Sequence, residues 1–266
     1  MKSTTVKISF TQNEGKFIYM HNFVIKILPE MALILIIETS TEVCSVALTK
    51  DGKLLDMIES SDGQNHARLV TVFAENLLSR NNIKSEELSA VAVSKGPGSY
   101  TGLRIGVSTA KGICYAARIP LIAVGTLEAM AKHVSLNISR YHFQEDKQVL
   151  FCPMIDARRM EVYSMLLDIE GTVIKPITAE IIGESFLANE LIEKQVVFFG
   201  NGSGKCKTAI TSPNALFISD ITASAQYMCE LVWQAYNKNQ FEDVAYFEPF
   251  YLKDFVAIVS KKNIFG

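Results

Sequence analysis

From residue 31 onward, apolar and polar positions fall into a readable order. The run ALILIIET (32–39) is rich in isoleucine and only strand-length, the mark of a buried central strand. EVCSVALT (42–49) predicts a second strand, KDGK (50–53) an Asp-Gly hairpin turn, and LLDMIES (54–60) a third strand. In HARLVTVFAENLLSR (66–80), Leu69, Val70, Phe73 and Leu77 recur at helical spacing. LSAVAVSK (88–95) returns to strand, followed by the glycine-rich turn GPGSYTG and a helix reaching about Ala117. PLIAVGT (120–126) is again a strand, and LEAMAKHV (127–134) opens another helix.

The polar segment 137–148 then reads as a connection. Beyond it, VLFCPMIDARRMEVYSMLLDIEG repeats the theme of 32–49: buried strand, short turn, second strand. The echo predicts two similar α/β halves, 31–127 and 128–266, with a late helix over 221–239. Residues 1–30 show no clean period and lack the charged, apolar and small-residue order of a signal peptide. Two expectations follow for them: an upstream extension preceding a natural start at Met31, or a loosely packed arm.

Composition narrows the function classes. The chain of 266 residues is 48% apolar and 20% charged, with a formal net charge of -2. That balance creates no overall field drawing the molecule onto nucleic acid. No apolar run approaches the roughly 18 residues of a membrane span. The five cysteines form no C-x-x-C pair and mostly sit in apolar runs, the pattern of buried reduced thiols in a cytoplasmic protein. The four histidines are scattered and no H-E-x-x-H exists, so a helical zinc pair is not expected. A G-x-S-x-G nucleophile elbow is also missing. Asp156, followed by Arg158 and Arg159, reads as an ion-paired turn after a strand.

Two glycine-rich stretches raise the question of a phosphate site. Gly96, Gly98 and Gly102 have one residue too many for G-x-G-x-x-G, and no lysine takes the Walker position. FGNGSGKCKT (199–208) has Phe199 where a Walker motif needs glycine, and Cys206 where it needs Ser or Thr. Both are expected to be turns, with an anion-friendly helix start at 99–101 left open. After the first turn, Gly102, Gly106, Ala110 and Cys114 recur every four residues and share a helix face. Interior glycines cost a helix about 0.8–1 kcal/mol each relative to alanine, and Gly106 and Gly112 both carry that cost. A face of small residues suits close approach by another backbone. Arg104, Lys111 and Arg118 form a basic row on a neighbouring face. Helix 66–80 is apolar on more than one face. Together these features suggest a partner; packing on the chain's own sheet is the alternative.

ILIIETSTEVCSVAL, SKGPGSYTGLRIGVSTAKGI, IDARRMEVY, FGNG and PFYLK, in this order over about residues 33–253, resemble the TsaB (YeaZ) family. These are bacterial partner proteins in threonylcarbamoyladenosine modification of tRNA. The resemblance implies an actin/Hsp70/sugar-kinase-like fold with two similar subdomains and mixed sheets flanked by helices. It implies a non-catalytic subunit that binds a metal-containing TsaD-like catalytic subunit and works with a TsaE-like P-loop ATPase. It further implies a homodimer in the absence of the partner, and tRNA engaged indirectly through the complex. The two helices would carry the interface, with Leu69, Val70, Phe73, Leu77, Gly102, Leu103, Arg104, Gly106, Ala110, Lys111 and Ile113 as its residues. No cofactor or metal is expected on this chain alone; a nucleotide at the partner junction is left open. The first hairpin, Glu38-Thr39-Ser40-Thr41-Glu42, has no glycine and two carboxylates, a poor cradle for phosphate. An ATP-dependent small-molecule kinase and a metallopeptidase-like protein stand as the alternative readings.

Overall fold

The computed structural model describes residues 17–20, 23–26, 31–63, 65–144 and 146–253. Strands β1 (Phe17–Met20) and β2 (Phe23–Lys26) pair antiparallel as a small sheet of their own. The remainder of 1–30, and with it the expectation of a start at Met31, lies outside the described residues.

The first large sheet contains β3 (Leu33–Glu38), β4 (Cys44–Lys50), β5 (Lys53–Ser60), β6 (Ala90–Gly96) and β7 (Leu121–Gly125), in the order β5-β4-β3-β6-β7. The second contains β8 (Val149–Asp156), β9 (Glu161–Asp168), β10 (Val173–Ile181), β11 (Gln195–Phe199) and β12 (Ala215–Phe217), in the order β10-β9-β8-β11-β12. The two orders are the same topology. In each sheet an antiparallel three-strand meander is extended by two strands parallel to its first. The echo between 32–49 and the second half is thus a duplication of architecture. The α/β class and two-subdomain arrangement hold.

The hairpin between β4 and β5 turns at Asp51 and Gly52, both with positive φ, as the Asp-Gly pair predicted. The central strands are apolar along most of their length because both faces are covered. Leu35 and Ile37 of β3 point into a core with α1 (His66–Arg80) and α2 (Tyr100–Ala117), while Ile34 and Ile36 point the opposite way. That opposite face is covered by Met228 and Val232, from the short 3-10 helix Ala225–Met228 and α5 (Cys229–Asn237). In the second sheet, Phe151, Ile155, Val197 and Phe199 pack on α3 (Thr126–Leu136), and Cys152, Met154 and Phe198 face the layer that includes α4 (Glu190–Glu193).

The helices therefore cross. The strands of the two sheets lie on either side of the 137–148 connection, but α3, before it, covers the second sheet and α5, from late in the chain, covers the first. The helix expected over 221–239 is shorter than its pattern suggests. Ser224 is extended, its hydroxyl donates to Glu59 Oε2 at 2.8 Å, and Ala225 N donates to Ser45 Oγ at 3.1 Å. These contacts with the first sheet hold the backbone out of helical geometry until residue 225.

Candidate functional site

The glycine turn after β6 leads into α2, whose first turn is capped from within. Ser99 Oγ accepts from Gly102 N at 3.3 Å, and Ser99 N donates to Ser40 O at 2.6 Å. Ser40 belongs to the hairpin after β3, which lies directly on this turn. A Cβ at Gly98 would sit 2.3 Å from Ser40 O, one at Gly102 2.1 Å from Thr39 O, and one at Gly106 2.3 Å from Thr39 Oγ1. Thr39 Oγ1 donates to Gly102 O at 2.8 Å. The glycines serve close packing of two pieces of the same chain.

This corrects the expectation for the small-residue face. Gly102, Gly106, Ala110 and Cys114 are buried against the hairpin and the first sheet, so they cannot meet a partner helix. Val70, Leu77 and Leu103 are likewise core residues. The reason is geometric: the face with the least side chain is the one that lets the hairpin approach.

The hairpin itself is filled. Glu38 is buried, and its Oε1 accepts from Ser40 N at 2.6 Å and from Ser94 Oγ at 2.8 Å. Burial pushes its carboxyl above the ordinary range, against those hydrogen bonds. His66 Nε2, at the start of α1, lies 3.0 Å from Thr41 O. The backbone donor Ser40 N is thereby committed to Glu38, while the Ser40 hydroxyl is buried without a hydrogen-bond partner.

The second half repeats the arrangement. Gly200 and Gly202 follow β11, and a Cβ on them would sit 2.1 Å from Met154 O and 2.8 Å from Ile155 C. Lys205 pairs with Asp156 and donates to Glu161 O at 2.7 Å. Asp156 is thus the ion-paired turn expected, although its partner is Lys205 and not a neighbouring arginine. Asn201 bridges the halves: its Nδ2 donates to Glu42 Oε2 at 2.7 Å and its Oδ1 accepts from Asp156 N at 3.1 Å. Shallow cavities of about 300 and 270 Å³ lie beside the 50–53 and 168–170 turns, and neither is lined by residues 38–42, 156–161 or the glycine turns. Among the described residues no cluster of three His, Cys, Asp or Glu could hold a metal ion, and no helix is long and apolar enough to cross a membrane. All five cysteines are unpaired and buried, and burial lifts the Cys44 and Cys114 thiols to about 11.

The outer faces of α1 and α2 remain. Leu69, Phe73, Ile105 and Ile113 are half-buried, and Val72 is 41% exposed. Gly112 is exposed and a Cβ on it would meet nothing within 4 Å, so packing within the chain gives no reason for a glycine there. The expected basic row is partly spoken for. Lys111 Nζ donates to Ala245 O at 2.9 Å and Phe247 O at 3.1 Å, and Arg104 stacks over the Tyr100 ring at 4.9 Å. The carbonyls held by Lys111 belong to a C-terminal strap, residues 240–253, whose course the periodicity of the sequence did not reveal. It is fixed by Glu242 N to Leu121 O (2.8 Å), Phe250 N to Lys95 O (2.7 Å), Tyr251 against Tyr100 (4.8 Å between rings) and Lys253 with Glu161.

Residues 57–259 match the family model described as TsaD: tRNA N6-adenosine threonylcarbamoyltransferase. The tRNA threonylcarbamoyladenosine biosynthesis protein TsaB of Haemophilus influenzae is 28% identical, over 84% of this chain and 94% of its own length. TsaB of Escherichia coli is 34% identical over 49% of this chain and 52% of its own. The solved structure of YeaZ from Pseudomonas aeruginosa superimposes with a TM-score of 0.69 at 23% identity, over 84% of this chain and all of that one, a likeness of fold. With well over half of its residues inside the family model and its relatives bearing the TsaB and YeaZ names, the chain belongs to the TsaB (YeaZ) family within the wider TsaD group.

Proposed function

We propose that this chain is a non-catalytic subunit in threonylcarbamoyladenosine biosynthesis, binding and activating a TsaD-like catalytic subunit that modifies adenosine 37 of tRNA. The observation that carries the reading is the self-filled pair of hairpins. Glu38 occupies Ser40 N of the first and the neighbouring Ser94 hydroxyl, and Lys205 neutralises Asp156 at the second. Apart from the unpartnered Ser40 hydroxyl, a site engaged by its own carboxylates in this way offers little to a nucleotide's phosphates, which argues against the small-molecule kinase.

The partner surface is the outer face of α1 and α2, built on Leu69, Val72, Phe73, Ile105 and Ile113 around the open Gly112. Large half-exposed apolar side chains beside an unexplained helix glycine fit a partner helix lying close. In the absence of the catalytic subunit the same face pairs two copies of this chain. A TsaE-like ATPase joins the complex, tRNA is contacted through it, and any nucleotide sits at the junction and not on this chain alone. The setting is cytoplasmic.

The test is reconstitution. The chain should co-purify with the catalytic subunit, and leaving it out should abolish modification of tRNA by the remaining components. Modification by the isolated chain, or undiminished modification without it, would reject the reading.

A further inference from the structure

We propose that the strap extends the partner face, with Tyr246 as an anchor for the catalytic subunit outside α1 and α2. This inference rests on the reading that those helices bind that subunit.

Three observations carry it. First, Lys111 is inside the basic row of α2, yet its ammonium holds the two strap carbonyls on either side of Tyr246. The strap is therefore laid along α2, continuous with the helical face. Second, the side chain between those carbonyls points outward: Tyr246 is 84% exposed, and Tyr115, one turn beyond Lys111 on α2, is 83% exposed. Third, the strap is tied from both halves of the molecule, at Lys95 and Leu121 in the first and Glu161 in the second. A tyrosine on a backbone already fixed loses little conformational freedom when covered. Rigid aromatic anchors with a polar tip are the residues that dominate association energies. On that reading the helical face takes the catalytic subunit whenever it is present, and a subunit that covers Val72 and Gly112 reaches the strap by extending along α2.

The experiment compares Tyr246→Ala and Tyr246→Phe with Phe73→Asp, in the full chain, by titration against the catalytic subunit and by sedimentation of the chain alone. Tyr246→Ala should weaken the heteromeric complex roughly ten- to a hundredfold with an unchanged melting temperature, and Tyr246→Phe should keep most of the affinity. If Tyr246→Ala binds normally while Phe73→Asp does not, the strap proposal falls and the helical interface stands. If Tyr246→Ala impairs only self-association, the occupant is a second copy and the proposal is overturned. If Phe73→Asp also binds normally, the helical reading itself is lost.

Discussion

At the residue scale, the three glycines of α2 have different causes. Gly102 and Gly106 are imposed by Thr39, and Gly112 by nothing inside the chain. Gly106→Leu should therefore unfold or strongly destabilise the protein, because the hairpin must be displaced to admit the side chain. Gly112→Ala should raise monomer stability by about 1 kcal/mol through helix propensity. Thermal melts by circular dichroism distinguish the two; equal effects would erase the distinction. Glu38 gives a pH prediction. Burial holds its folded-state value above the ordinary 4.5. A group that binds its proton more tightly when folded stabilises the fold below that value, and the contribution fades as pH climbs through the folded value. The stability of the native chain relative to Glu38→Gln should thus decline from pH 4.5 upward. Urea titrations at several pH values would show it, and a flat difference would mean the carboxyl titrates normally.

At the scale of elements, α1 was legible because Leu69, Val70, Phe73 and Leu77 repeat at helical spacing over 66–80, where the helix stands. The small-residue face of α2 was legible as a close-packing face, but a pattern of small residues does not name what fills it. The late helix misled because its first residues are held by Glu59, 165 positions away. The strap was recognised only as a family motif, since its anchor at Lys111 lies 134 positions from Ala245. Long-range hydrogen bonds leave no period in a sequence. The crossing of helices yields a further expectation. Met228 is fully buried beneath the first sheet, so Met228→Ala should cost about 2–5 kcal/mol. The loss should appear as faster hydrogen exchange in β3 and β6. Exchange accelerating only in β8 and β11 would contradict the packing.

At the scale of the whole molecule, the halves are alike in topology yet were never independent in packing. Each sheet borrows a helix from the far side of the connection. Unfolding should be a single cooperative transition, because each sheet loses the cover of one apolar face once the other half melts, α5 leaving the first and α3 the second. Calorimetric and van't Hoff enthalpies should agree for the isolated chain, and two resolved transitions would refute this.

The exchange of α3 and α5 also bears on how such a protein could be divided. A chain nicked at Ser139 or Arg140, both exposed, would leave one fragment with one sheet face uncovered and α3 astray, and the other with the complementary deficit. Each fragment would be insoluble or disordered alone, and the two would find each other without any tether. The duplication has thus become a pair of mutually dependent templates, whose separate expression would act as a conditional switch on the intact subunit.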